Sequence, residues 1–153
     1  MSYEFDRSLR IVKATPIALM ILSDAAVTGT SSAKNATNMP LVQLGLQVVR
    51  VLCPKHRMAG RAVVDSGPMV GVLLGTSSIS FEFTGPVVAR VRGLVQAAPW
   101  GGCFVTKRVI RYCGLVPEAT VTVKGPSVDG EISGRWEQWR VRGFPTVSVA
   151  IVQ

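Results

Sequence analysis

Residues 41–53 read LVQLGLQVVRVLC and alternate apolar side chains with polar or small ones. Leu44, Leu46 and Val48 fall on one face, while glutamine and glycine occupy the positions between them. Alternation with a period of two is typical of a β-strand that buries one of its faces. The segment therefore predicts a long strand that ends at Cys53, before a turn.

The same alternation continues on both sides of this strand, between breaks made by glycine and proline. Before it, Ser8–Lys13 and Ile17–Leu22 are predicted strands, and Ser23–Pro40 is a polar, flexible connection. After it, the predicted strands are Arg61–Val64, Met69–Leu74, Ile79–Thr84, Val87–Gln96, Cys103–Tyr112, Ala119–Lys124, Glu131–Arg142 and Thr146–Val152. No segment predicts a helix longer than a turn or two.

This pattern predicts an all-β fold. About ten short strands without helical crossovers are typical of an antiparallel β-sandwich, and a jelly roll fits their spacing best. A chain of 153 residues suits one main body. We divide it into residues 1–40, with the N-terminal strands and the flexible connection, and residues 41–153, the β-sandwich body. The last strand is apolar on both faces, so we expect it within the sheet or at a subunit contact.

Composition limits which class of protein and which cellular compartment fit the chain. An apolar fraction of 48% and a mean hydropathy of +0.35 exclude a disordered chain. The longest apolar stretch near the N-terminus, Pro16–Leu22, is too short for a membrane span or a signal peptide. The cysteines Cys53, Cys103 and Cys113 are odd in number and do not suggest a disulfide framework. We therefore expect a protein of the cytoplasm or of a virion, without a secretion signal.

Charge points to the kind of partner. The chain has 17 lysines and arginines against nine acidic residues, a formal net charge of +8. No acid occurs between Asp24 and Asp65, or between Glu82 and Glu118, and each of these acid-free windows holds five basic residues. Such segments predict an anionic partner, although solvated strand faces that keep the protein soluble are the alternative.

Residues suited to catalysis are few. His56 is the single histidine, and Cys53 three residues before it has no patterned third residue to complete a nucleophilic site. Cys53, His56, Cys103 and Cys113 have soft metal-ligand chemistry, but their spacing is not that of a zinc site, and buried structural cysteines are the commoner alternative. We predict no catalytic residues, no metal, no cofactor and no enzyme.

Arginine and interleaved aromatic residues favour nucleic acid as the partner, since arginine binds phosphate bidentately and aromatic rings stack on bases. The segment Arg135–Arg142 is RWEQWRVR, in which a strand would place Trp136, Arg140 and Arg142 on one face. A structural role for Trp136 at a strand edge or subunit contact is the alternative. The candidate nucleic-acid-binding residues are Arg90, Arg92, Lys107, Arg108, Arg111, Arg135, Trp136, Arg140 and Arg142. No base-reading motif accompanies them, so we expect salt-sensitive, non-specific binding, with single-stranded nucleic acid as the expected ligand.

A basic chain of this length, poor in predicted helix and with an apolar last strand, resembles small viral jelly-roll coat proteins. The resemblance covers the architecture from Leu41 to Gln153 and includes no diagnostic motif. It implies a capsid protein whose N-terminal arm enters the nucleic acid. Here residues 1–10 contain only Arg7 and Arg10 as basic residues, beside Glu4 and Asp6, so the folded body would make the contact.

These observations predict a structural protein that assembles with itself into a coat or shell and contacts nucleic acid through a cationic face. One alternative is an RNA-binding accessory protein that does not assemble. The other is a tail or decoration β-domain that binds a protein partner. We expect no membrane partner.

Overall fold

The computed structural model describes residues 9–15, 18–23, 39–78, 80–125 and 127–153. The strands are β1 (Leu9–Thr15), β2 (Ala18–Ser23), β3 (Ala62–Val64), β4 (Val70–Leu74), β5 (Ser80–Thr84), β6 (Cys103–Thr106), β7 (Val121–Val123), β8 (Gly130–Ile132), β9 (Glu137–Trp139) and β10 (Val147–Ile151). The helices are α1 (Pro40–Gln47), which continues through a π-helical turn (Val48–Leu52) into α2 (Cys53–Lys55), then α3 (Pro86–Ala97) and α4 (Lys107–Tyr112).

A mixed four-stranded sheet forms the centre of the fold, in the order β3–β6–β10–β9. β3 and β6 are parallel, whereas β10 is antiparallel to both of its neighbours. β1–β2, β4–β5 and β7–β8 form separate two-stranded antiparallel pairs. The fold is thus mixed α/β, and the prediction of an all-β antiparallel, jelly-roll-like sandwich is wrong. A parallel pair needs a long crossover, and α3 supplies it between β3 and β6.

The predicted strand over residues 41–53 is a helix. Its buried residues include Val42, Leu46 and Val49, at the spacing of one helix face. Pro40 occupies the first turn, where a missing backbone N–H costs nothing. Gly45 faces the sheet so closely that a Cβ there would lie 3.1 Å from the Cys103 sulfur. A glycine at this position therefore lets α1 pack directly onto β3 and β6.

The predicted strand over Val87–Gln96 is also a helix, α3. Pro86 lies in its first turn. Gly85 directly before it has a φ of 131°, a conformation that glycine adopts readily and other residues rarely do. Val87 and Leu94 are among the residues buried on its inner face. Two other predicted strands are divided: the one starting at Cys103 changes into α4 after Thr106, and the one over Glu131–Arg142 holds only the short strands β8 and β9.

Two apolar cores cover the two faces of the sheet. Alternate residues of β6 point to opposite sides, with Val105 in the first core and Phe104 in the second. The first core includes Met39, Val42, Leu46, Val64, Cys103, Val105, Val109, Ile110, Val121, Val123, Ile132, Ala150 and Val152. The second includes Leu94, Ala98, Phe104, Val141, Val147 and Val149. α1 and α4 therefore pack on one face of the sheet and α3 on the other.

Several short strands are confirmed with narrower bounds. They are those predicted over Arg61–Val64, Met69–Leu74, Ile79–Thr84, Ala119–Lys124 and Thr146–Val152. The last of them becomes β10, an internal strand of the sheet, as its apolar faces predicted. Residues 24–38 of the predicted flexible connection lie outside the described residues, and the division at residues 40 and 41 stays a prediction. Within the described ranges, no helix has both the length and the apolar character needed to span a membrane.

Candidate nucleic-acid interface

The structure separates Arg90 from Arg92, which the sequence placed on one strand face. Both belong to α3, where residues two positions apart point about 200° away from each other. The Arg90 side chain is 3% exposed, whereas Arg92 lies on the exposed side of the helix. Arg90 is thus removed from the predicted binding surface, because a helix replaces the strand.

Arg90 belongs to a buried polar network between α3 and the sheet. Its Nε donates to Oδ2 of Asp65 at 2.5 Å, and its Nη2 donates to the Ser66 carbonyl at 3.1 Å. The other carboxylate oxygen of Asp65 accepts hydrogen bonds from Thr106 Oγ1 at 2.6 Å and from the Ser66 backbone at 2.8 Å. The Asp65 side chain is completely buried. Every polar group in the network has a partner, as burial of a charge requires.

Three exposed arginines flank one contact between α3 and the segment after β9. The segment after β9 packs Val141 against Gly93 of α3, and Val141 is 7% exposed. Its neighbours Arg140 and Arg142 are exposed, as is Arg92, the neighbour of Gly93. Within the described residues, these three side chains have no hydrogen bond or ion pair. We call Arg92, Arg140 and Arg142 the arginine cluster.

The direction of the strands places further cations at the end of the sheet where Arg140 lies. β3 and β6 are parallel, and β10 is antiparallel to both β6 and β9, so β3, β6 and β9 run in one direction. The segments that follow β6 and β9 therefore lie at one end of the sheet. The first begins with Lys107 and Arg108 and the second with Arg140.

On α4, Lys107 is paired with a carboxylate, whereas Arg108 and Arg111 have no ion pair in the described residues. Lys107 Nζ contacts Glu118 at 2.8 Å, and the Lys107 hydrogen bond lowers the pKa of Glu118, with the charge of Arg111 adding to the effect. Lys107 and Arg111 are four residues apart, one helical turn, so Arg111 lies on the same side of α4 as the Lys107–Glu118 pair. Arg108 is exposed and has no partner in the described part of the chain. Arg108 is therefore the α4 cation best placed to meet a ligand.

Trp136 has a structural role. Its indole Nε1 donates to the Pro117 carbonyl at 2.8 Å, and its half-buried ring packs on the first core. Lys107 Nζ lies 5.8 Å from the ring centroid, within cation–π range. Trp136 is therefore engaged by the protein itself, in contrast to its predicted role in base stacking. Arg135 beside it is exposed.

A groove of about 300 Å³ lies between α3 and the β4–β5 pair. Val72 and Leu74 of β4 line one side, with Val88 and Arg92 on the other. Glu82 also lines it, so one carboxylate faces the same space as Arg92. The groove contains a carboxylate beside its arginine, which distinguishes it from the surface around Val141, where Arg140 and Arg142 are exposed.

The cysteines and the histidine do not converge. Burial raises the pKa of the Cys103 thiol to about 12, and burial likewise raises the pKa of Cys113. Cys53 is half-buried and His56 is exposed. Among the residues that the structure describes, no group of three or more His, Cys, Asp or Glu side chains is placed to hold a metal ion.

Sequence reasoning missed Asp65 and Val141, which position the arginines. Helical spacing would have revealed the inward direction of Arg90, because Val87, Arg90 and Leu94 follow the i, i+3, i+7 pattern of one helix face. A lone arginine on an apolar helix face requires a buried acid. No comparable local signal indicates that Val141 meets Gly93, since that contact joins segments distant in the chain.

Comparisons with known proteins give little. No protein-family model matches the chain, and no curated protein matches it. Among solved structures, it is similar to the guanylate cyclase domain of RhGC from Catenaria anguillulae in complex with GTP, with 13% identity and a TM-score of 0.41. The match covers 58% of this chain and 41% of that chain. A likeness at this level carries no argument about activity.

Two predictions are not retained. The prediction that the chain is not an enzyme finds no support in this comparison, because the solved structure is an enzyme domain. The interpretation as a jelly-roll capsid protein depended on an all-β architecture, and the mixed α/β fold removes that basis.

Proposed function

We propose that this protein binds nucleic acid through the backbone phosphates, mainly with Arg92, Arg108, Arg140 and Arg142, and that it acts as an assembly of identical copies. The observation that carries the proposal is the arginine cluster. Three exposed guanidinium groups lie around one contact between α3 and the segment after β9, without a partner in the described residues. Charged groups left in solvent on a packed support are available for a ligand.

Arginine determines the class of ligand. A guanidinium group offers planar, paired donors that match phosphate oxygens, and it remains charged at every physiological pH. The net charge of +8 adds long-range attraction for a polyanion. Arg92 lies on α3, Arg108 on α4, and Arg140 and Arg142 on the segment after β9, so no single recognition helix carries them together toward base edges. The proposed contact is therefore to the backbone, with little sequence preference.

The support of these arginines is rigid. The buried network of Arg90, Asp65 and Thr106 ties α3 to the carboxyl ends of β3 and β6. Val141 is fixed against the same helix and belongs to the second core. Arg92, Arg140 and Arg142 thus keep their spacing, which limits the backbone ordering required on binding.

Self-association is the second part of the proposal, and the β4–β5 pair carries it. Leu73 and Val70 of β4 are 71% and 60% exposed, in a pair of strands that is too small to be stable alone. β4 contains no charge to protect its edge. Two copies of β4 paired antiparallel about Val72 would place each Leu73 opposite Gly71, a large residue opposite a small one. We therefore propose a second copy of the chain as the occupant of this edge.

The three free cysteines suit a reducing compartment, and we place the proposed activity inside the cell.

The test is nucleic-acid affinity as a function of salt, measured by fluorescence anisotropy with labelled single-stranded RNA. Arg140→Gln and Arg142→Gln should each weaken binding and lower the slope of log affinity against log salt by about 0.7. Lys124→Gln is the matched control, since it removes one exposed charge that is already paired with Asp129. If wild-type protein fails to bind RNA at low salt, or if all three variants weaken binding equally, the arginine cluster is not the binding site.

A further inference from the structure

A second cationic surface lies at the amino ends of β3 and β6, around Trp100. The indole is 65% exposed, on the turn between α3 and β6. The turn is held firmly: Gly101 donates its backbone N–H to the Gly60 carbonyl at 2.8 Å, and Ala62 donates to the Gly102 carbonyl at 3.0 Å. An exposed tryptophan on a fixed turn is costly in water, and aromatic side chains in such places commonly mark a binding site.

Arg61 is stacked on this indole. Its guanidinium carbon lies 4.2 Å from the Trp100 ring centroid. The same guanidinium donates to the Ala98 carbonyl at 2.7 Å and to the Gln96 carbonyl at 3.4 Å, which fixes its plane. These acceptors are neutral carbonyls, so the positive charge of Arg61 is held in place without being cancelled. Arg61 and Trp100 together form a preorganised flat surface that carries a positive charge.

More cations lie on the adjoining turn. Lys55, the last residue of α2, and His56 and Arg57 after it are exposed. Gly60, whose carbonyl binds Gly101, packs against Cys53 so closely that a Cβ there would overlap the cysteine sulfur. The turn with Lys55 and Arg57 therefore adjoins the turn with Trp100.

The parallel pairing of β3 with β6 explains why this surface has no carboxylates. Residues 53–61 belong to the acid-free window between Asp24 and Asp65, and residues 96–102 belong to the window between Glu82 and Glu118. Because the strands are parallel, their amino ends meet, and the acid-free segments that precede them lie side by side. Neither segment contains a carboxylate side chain.

We propose that Trp100 and Arg61 form a stacking site for an unpaired nucleobase, with Lys55 and Arg57 binding phosphates of the same strand. Every base has a flat π-face, so stacking on an aromatic ring suits single-stranded nucleic acid of any sequence. A ligand that needed only positive charge would gain nothing from the indole. This site uses residues different from the arginine cluster, and it goes beyond the phosphate binding proposed there.

The experiment is a titration of the full chain with a short oligodeoxythymidylate and with an abasic deoxyribose-phosphate chain of equal length. Trp100→Ala should weaken binding of the oligodeoxythymidylate by roughly tenfold or more, and Trp100→Phe should retain most of the affinity. Binding of the abasic chain should be the same for wild type and both variants. Val116→Ala is the matched control, because Val116 is an apolar residue exposed to a similar degree, 62%.

Tryptophan fluorescence gives a second readout. Bases stacked on Trp100 should quench the emission of the wild-type protein, and Trp100→Phe should bind without that quenching. An oligodeoxythymidylate affinity of Trp100→Ala within twofold of wild type would overturn the proposal. So would an equal loss of affinity for the abasic chain, since charge alone would then explain the contact.

The phosphate-binding proposal and the stacking proposal can be refuted independently of each other. Arg140→Gln and Arg142→Gln should weaken binding of the abasic chain as much as that of the base-containing strand, whereas Trp100→Ala should affect only the latter. A fold control by thermal unfolding applies to all variants. Normal binding in Trp100→Ala together with weakened binding in Arg140→Gln removes the stacking site and leaves the phosphate surface.

Discussion

Replacement of Arg90 by methionine tests whether this buried arginine stabilises the fold, in contrast to the exposed arginines, which we propose to bind nucleic acid. The side chain of Arg90 is 3% exposed, and its partner Asp65 is completely buried. Methionine preserves much of the volume but removes the charge. The Asp65 carboxylate would keep its hydrogen bonds from Thr106 and Ser66 but lose the cation that compensates its charge. We therefore expect a large loss of stability and little change in nucleic-acid affinity.

The magnitude follows from the burial. Removal of one partner of a buried ion pair costs about 3–5 kcal/mol, because the remaining charge is left without compensation. For a domain of this size, 1 kcal/mol shifts the melting temperature by roughly 2–4 °C, so Arg90→Met should lower it by roughly 6–20 °C. Removal of both partners, in Asp65→Leu with Arg90→Met, should recover part of the loss, because the double variant leaves no buried charge.

The assay is urea unfolding at neutral pH, monitored by circular dichroism, together with RNA anisotropy on each folded variant. Arg92→Met is the matched control: it makes the same substitution on the exposed side of α3 and should change stability by no more than about 0.5 kcal/mol. The reasoning is refuted if Arg90→Met unfolds within about 1 kcal/mol of wild type. It is also refuted if Arg90→Met weakens RNA binding at unchanged stability, which would return Arg90 to the binding surface.

Two further outcomes are expected. Leu73→Asp should shift the protein toward monomer in sedimentation velocity, because it places a charge on the exposed β4 edge, and a wild type that is already monomeric contradicts the proposed pairing. With Cys53→Ser and Cys113→Ser in place, Cys103 should react roughly a thousandfold more slowly with a disulfide reagent at pH 8 than an ordinary thiol does, since its raised pKa of about 12 leaves almost no thiolate; rapid labelling before unfolding contradicts this.

The strands were the predictable part of the fold. β4, β5, β7 and β10 are short, and glycine, proline or polar residues bound each of them. Segments this short, with breaks on both sides, favour strands over helices, which are usually longer. β10 was predictable in its position as well, because a strand with apolar residues on both faces belongs inside a sheet.

The helices were mispredicted because an apolar-rich segment satisfies two periods at once. In residues 41–53, Leu44, Leu46 and Val48 alternate as in a strand, while Val42, Leu46 and Val49 follow a helix face. The prolines that begin α1 and α3 were the distinguishing signal, since proline favours the first turn of a helix. This signal was missed because we interpreted both prolines as breaks between strands.

The candidate site was predictable in composition but only partly in geometry. Arg92, Arg108, Arg135, Arg140 and Arg142 are exposed, as any strongly charged side chain tends to be. Which residues lie next to these arginines could not be derived from the sequence. The exposure of an arginine follows from its charge, but its neighbours in space depend on the topology of the fold. A period of two also assigned Arg90 to the wrong side of its element, and local pattern gave no indication of the Asp65 partner.

The positions of the two proposed sites also determine which measurements distinguish a specific binding site from attraction by the net charge alone. A chain with a net charge of +8 binds polyanions at low salt, and loss of a single cation leaves most of that attraction. Total affinity is therefore a weak criterion. The salt slope counts the phosphates neutralised at the arginine cluster, whereas dependence on bases reports the indole of Trp100. Because the two sites use different residues, each measurement isolates one of them.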